Sequence, residues 1–125
     1  MAVPLSVLGV GVAGLAYASI VERNWFRLRR FDVPVLEPGR RPIRILHLSD
    51  LHLTPGRRRL IEWVRSLEAL RPDLVVNTGD TIAHPDAIPA YLRAVEPLLS
   101  RPGVFVYGSN DLYAPRFKNP ARYLW

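Results

Sequence analysis

Three short apolar runs, each ending in a polar turn with a residue able to ligate a metal, recur along this chain one strand–helix unit apart. Ile43-Arg44-Ile45-Leu46-His47-Leu48 gives way to Ser49-Asp50-Leu51-His52. Leu74-Val75-Val76-Asn77 gives way to Thr78-Gly79-Asp80, and Val104-Phe105-Val106-Tyr107 to Gly108-Ser109-Asn110-Asp111. Asp50, Asp80 and Asn110 are thirty residues apart. That interval holds a strand, a crossover helix and two turns, so the runs read as parallel strands of right-handed βαβ units. The three turns then fall at the carboxyl ends of adjacent strands, the rim where open α/β sheets place their sites.

The intervening segments carry the helical period. Leu60, Ile61, Val64, Leu67 and Leu70 recur on one face, with Arg57, Arg58, Arg59, Glu62, Arg65 and Glu68 between them. A second helix is predicted over Asp86 to Leu99, with Ile88, Tyr91, Leu92, Val95, Leu98 and Leu99 inward and Pro89 in its first turn. Arg71-Pro72-Asp73 and Arg101-Pro102-Gly103 end the two helices.

The chain has no cysteine, which excludes both a disulfide framework and a thiolate metal site. Carboxylate, imidazole and carboxamide donors suit Mn, Fe or Zn. Asp50 and His52 sit one residue apart on an extended segment and can turn toward one metal. A carboxylate on the middle strand has two oxygens and can bridge two. A two-metal site of this kind activates water and stabilises both the attacking and leaving oxygens in phosphoryl displacement. Taken singly, an Asp after a strand is more often a cap, and an Asn-Asp pair more often a turn. Three such features in phase favour the site. Of the other histidines, His47 reads as a strand or packing residue, and His84 as a loop residue that caps a turn or approaches substrate.

The runs Ile45–His52, Val75–Asp80 and Val104–Asp111 resemble the calcineurin-like metallophosphoesterase family. The apolar N-terminus and Pro-rich junction look like a membrane-associated bacterial branch of it. The resemblance implies a four-layer α-β-β-α sandwich, of which residues 43–125 would be the N-terminal βαβαβ half. It implies hydrolysis of phosphomonoesters or phosphodiesters at a dinuclear centre through a metal-bound water. By position, Asp50 and His52 would bind the first ion, Asp80 would bridge, and Asn110 would bind the second. The family usually reads Gly-Asn-His-Asp or Gly-Asn-His-Glu at the third motif, where the His assists the leaving group. Here an alignment counted from Gly103 puts Asp111 at that His, whereas an ungapped match on Gly108 puts Ser109 at the ligand position. Asp111 could serve as a general acid only with a raised pKa. The family's later histidine motifs have no counterpart in this sequence, so a truncated enzyme is expected; an inactive membrane-anchored remnant or an assembly fragment is the alternative.

Residues 2–21 carry no charge and Arg23, Arg27, Arg29 and Arg30 follow closely. Twenty such residues can span a bilayer, so residues 1–22 read as an apolar helix and membrane anchor. The basic flank then places the main domain on the cytoplasmic face. Ala16-Tyr17-Ala18 offers the alternatives of a cleaved, exported chain or, with Pro4, Gly9, Gly11 and Gly14 diluting the run, a docked helix. Residues 23–42 form a basic, Pro-rich junction. The net charge is +6, but the Arg residues fall in separate groups at 23–30, 40–44 and 57–59 and match no nucleic-acid module. The expected partners are a phosphoester substrate and a membrane. The sequence does not address the oligomeric state.

Overall fold

A computed structural model of the chain describes residues 5–21 and 24–113. The chain divides into two compact units, Met1–Val35 and Leu36–Trp125.

In the first unit a helix, α1, spans Leu5–Ile20. Its Val7, Val10, Val12, Leu15, Tyr17 and Ile20 side chains are exposed. The sixteen residues of α1 rise about 24 Å at 1.5 Å each, short of a hydrocarbon core of about 30 Å. No helix among the described residues is long and apolar enough to cross a membrane. The expected twenty-residue span is thus not shown among the described residues. The Asn24 side chain donates to the Ile20 carbonyl at 2.9 Å and satisfies one orphan acceptor at the helix end. Extended chain follows.

The second unit is a mixed α/β structure on a three-stranded parallel sheet. Strands β1 (Ile45–Leu48), β2 (Leu74–Asn77) and β3 (Gly103–Phe105) lie in that order. Ile45 pairs with Leu74 and Leu48 with Asn77; Val75 pairs with Gly103 and Asn77 with Phe105. β2 has the bounds read from the sequence, and the other two shift by one or two residues. β1 begins late because the Arg44 amide donates to the Asp73 carboxylate at 2.8 Å instead of entering the ladder.

Helix α2 (Arg58–Ser66) continues as a 3₁₀ turn over Leu67–Leu70. It buries Leu60, Ile61, Val64 and Leu67, as its period requires. The turn closes at Arg71, which takes the left-handed conformation at φ 49° and leads into buried Pro72. Helix α3 (Ile88–Val95) lies between 3₁₀ turns at Pro85–Ala87 and Glu96–Leu98. Its buried face is Ala87, Ala90, Ala94, Val95 and Leu98. Ile88, Leu92 and Leu99, expected inward, are 55%, 53% and 67% exposed. The helix therefore turns its alanines inward, next to α2, where small side chains allow close approach of two backbones.

Leu46 and Leu48 are buried, while Ile45 and His47, pointing to the opposite face, are exposed. That far face, with Ile43, Ile45, Val104 and Val106, is uncovered among the described residues. β3, one of the two edge strands, is exposed throughout. The short helix α4 (Ser109–Leu112) follows it. Phe117, Tyr123, Leu124 and Trp125, in the aromatic tail, lie outside the described residues.

Candidate metal centre

The turns after β1 and β2 are joined by a backbone ladder that extends the sheet past its strands. The Asp50 amide donates to the Gly79 carbonyl at 3.0 Å, His52 to Asp80 at 3.1 Å, and Leu53 to Thr81 at 2.8 Å. Leu53 and Ile82 then form an isolated parallel bridge, and both are buried. This pairing fixes Asp50 and His52 beside Asp80.

Within the ladder the chain takes an uncommon path. Asp50, His52 and Asp80 all have positive φ, at 53°, 43° and 51°. Non-glycine residues held there cost about 1–3 kcal/mol each and cluster at functional sites. Asp and His are among the side chains that tolerate the region best. Gly79 has φ 92°, and a Cβ there would overlap the Gly108 backbone. A Cβ on Gly108 would in turn overlap the Asp80 backbone nitrogen and carboxylate. Two glycines facing each other thus let the turn after β3 close onto the turn after β2.

The outcome is a cluster in which donor atoms of Asp50, His52 and Asp80 all lie within 4.8 Å of one another. His52 Nε2 is 3.8 Å from Asp50 Oδ1. Two metal–ligand bonds of about 2.1 Å can bridge up to about 4.2 Å, so that pair fits one ion. Two carboxylates held this close repel one another unless a cation lies between them. The donor set, its convergence and its partial exposure suit a divalent ion.

Asn110 reaches the same place from α4. Its side-chain nitrogen lies 3.0 Å from His52 Nδ1, and its backbone amide donates to Asp80 Oδ1 at 3.0 Å. A half-turn of the carboxamide presents oxygen in place of nitrogen. Ser109, the other candidate for the ligand position, donates its hydroxyl to Asp80 Oδ1 at 3.4 Å. The Ser49 hydroxyl donates to Asp50 Oδ2.

Asp111 is engaged differently. Its Oδ1 accepts the Thr81 amide at 2.9 Å, the Thr81 hydroxyl at 2.7 Å and the Ile82 amide at 3.2 Å. Its Oδ2 accepts the Gly108 amide, at the start of α4, at 2.9 Å. Burial pushes this carboxyl up, but the bonds from Thr81, Gly108 and Ile82 outweigh it and hold the group below the usual carboxylate range. The raised pKa that a general acid needs is not met here.

His84 caps the turn ahead of α3, its Nδ1 accepting the Asp86 amide at 3.1 Å. It stands outside the Asp50–His52–Asp80 cluster. His47 lies on the far face of the sheet and meets the Thr78 hydroxyl at 2.8 Å. Sequence reading passed over Asn77 and Thr81, both buried. Asn77 accepts the Gly79 amide at 2.9 Å and donates to the Tyr91 hydroxyl at 2.9 Å, bracing the turn that carries Asp80. A polar residue closing an apolar strand was the available signal.

A profile of the calcineurin-like phosphoesterase family matches residues 43–125. Over 97 residues the chain is 38% identical to a Bos taurus protein described as "Transmembrane protein with metallophosphoesterase domain". The match covers 70% of this chain and 21% of that protein, so the chain spans about a fifth of the length of the curated relative it matches. No solved structure matches significantly. These matches give no support to a specifically bacterial branch.

Proposed function

Because the chain belongs to the calcineurin-like phosphoesterase family, we propose that it carries part of a dinuclear phosphoester hydrolase site on the rim of its parallel sheet. The observation that carries this reading is the convergence of Asp50, His52 and Asp80 on strained backbone at two adjacent strand ends. Asp50 and His52 would hold the first of two divalent ions (Mn, Fe or Zn), Asp80 would serve both, and Asn110 would hold the second. When bound, such ions supply Lewis acidity and a nucleophile usable at neutral pH. Four protein donors leave positions for water, for the substrate phosphoryl group and for further donors.

The rest of the machinery is positional. Asn110 orients His52 through their 3.0 Å contact. Asp111 acts as a clamp that ties α4 to the turn after Asp80, rather than as the leaving-group acid. His84 acts as a cap, with contact to substrate the lesser role. The second layer of a four-layer sandwich fits the uncovered far face of the sheet.

For α1 the reading is membrane association. A helix apolar on every side belongs in a protein core or in lipid, and its described side chains are exposed. The matched relative is described as a transmembrane protein. The Arg residues after α1 favour the cytoplasmic side for the main domain.

The test is turnover of bis(p-nitrophenyl) phosphate with added Mn²⁺. Metal-dependent hydrolysis abolished by Asp80→Ala supports the reading. Hydrolysis unchanged by Asp80→Ala, or by chelation, contradicts it.

One observation favours a second reading, a non-enzymatic assembly fragment. β3 is bare on both faces, with Val104 58% and Phe105 41% exposed. A groove of about 260 Å³ between α3 and β3 is lined by Val75, Tyr91, Val95, Leu98 and Phe105, among others. Metal binding without turnover, together with concentration-dependent association, distinguishes that reading.

A further inference from the structure

We propose that Trp25–Val35 is an interfacial arm that selects anionic lipid headgroups beside α1. The proposal rests on the membrane association argued above and deepens it by naming the lipid class. Trp25, Phe31, Val33 and Val35 are 56%, 78%, 68% and 78% exposed. Globular surfaces seldom leave so many large apolar side chains in water within eleven residues. Interleaved with them are Arg27, Arg29 and Arg30, all exposed, against the single acidic residue Asp32.

The two kinds of side chain are also coupled. The Arg27 guanidinium lies 4.4 Å from the centre of the Trp25 ring. That pairing lets the indole sit among the headgroups while the cation stays at their phosphates. Trp is enriched at this depth because its ring is apolar and its N–H is not. Asn24 closes the last turn of α1 directly ahead of the arm. The aromatic and basic residues therefore begin where the uncharged helix ends. A soluble acidic partner would satisfy the Arg residues and leave the apolar ones exposed; an anionic bilayer satisfies both.

The experiment is vesicle binding by the full chain. Vesicles of phosphatidylcholine alone are compared with vesicles in which part of the lipid is phosphatidylglycerol. Juxtamembrane basic residues each strengthen binding to an anionic surface about fivefold, so the three Arg residues give a preference of about 100-fold for the mixed vesicles, reduced by added salt. The Arg27→Gln/Arg29→Gln/Arg30→Gln variant loses that preference and keeps its binding to neutral vesicles. With Trp63→Phe and Trp125→Phe, the remaining Trp25 fluorescence shifts to the blue on the mixed vesicles. It is quenched by lipids brominated near the headgroup end of the chain. Equal affinity for both vesicle types, or Trp25 emission that stays that of water, overturns the arm while leaving membrane association standing. Absence of binding to either vesicle overturns both. The phosphoesterase reading is scored separately, by turnover.

Discussion

The residue with the most consequential surroundings is one whose type gives little warning of its task. Asp111 accepts four hydrogen bonds and so ties α4 to the segment after Asp80. Its removal leaves the buried Thr81 amide and hydroxyl without their acceptor, and unmet buried donors are costly. Asp111→Ala is expected to lower stability by about 2 kcal/mol in a urea titration and to weaken metal binding through the slackened turn. A fall in metal affinity with unchanged stability would instead make Asp111 part of the site itself. Asp73 offers a pH test at the opposite, amino-terminal end of the strands. The Arg44 amide is the main cause that lowers its pKa; burial opposes it, and the Arg41, Arg44 and Arg101 charges assist. A carboxyl depressed in the folded state stabilises the fold above its unfolded pKa of about 3.9, and that contribution is lost as pH falls through the folded value. Wild type should therefore exceed Asp73→Asn in urea midpoint by a constant margin near neutrality. The margin should narrow below about pH 4. A margin that persists undiminished in acid would remove the charge from the explanation.

At the scale of elements, strand order and direction were legible because the apolar runs, the Pro-bearing turns and the thirty-residue interval all agree. β2 was placed residue for residue. The inner face of α3 was legible in part: Val95 and Leu98 are buried as read, but Ile88, Leu92 and Leu99 are not. Choosing the largest apolar side chains selects the stripe of Ile88, Leu92 and Leu99, next to the one actually buried. Alanines carry too little hydrophobic weight to mark a face, yet Ala87, Ala90 and Ala94 lie inward because small residues let α3 approach α2. Substitutions separate the two faces. Leu92→Gln should change stability by no more than about 0.5 kcal/mol, as at ordinary surface positions. Ala90→Leu should cost about 1–3 kcal/mol by overpacking. The reverse ranking in thermal melts would restore the face read from the period. The site was legible to a similar degree: Asp50, His52 and Asp80 do converge. Their left-handed backbone and the inter-turn ladder were not legible, because both depend on pairing between segments some thirty residues apart.

The whole molecule joins an apolar helix and a basic segment to an α/β unit whose Asp50, His52 and Asp80 turns lie along one rim. The helix side of the sheet is covered over Leu46 and Leu48 of β1 and open at β3, and the other side is uncovered among the described residues. Membership in the phosphoesterase family accounts for the rim, and the α/β frame accounts for its geometry. The account turns on the rim being a metal site. Its most direct test is a calorimetric titration of the chain with Mn²⁺, paired with the same titration of Asp80→Ala. Saturable binding to the wild type, weakened at least about 100-fold by Asp80→Ala with the fold intact by circular dichroism, is the expected result. Wild-type affinity retained by Asp80→Ala, or no saturable binding to a folded wild-type chain, would contradict it.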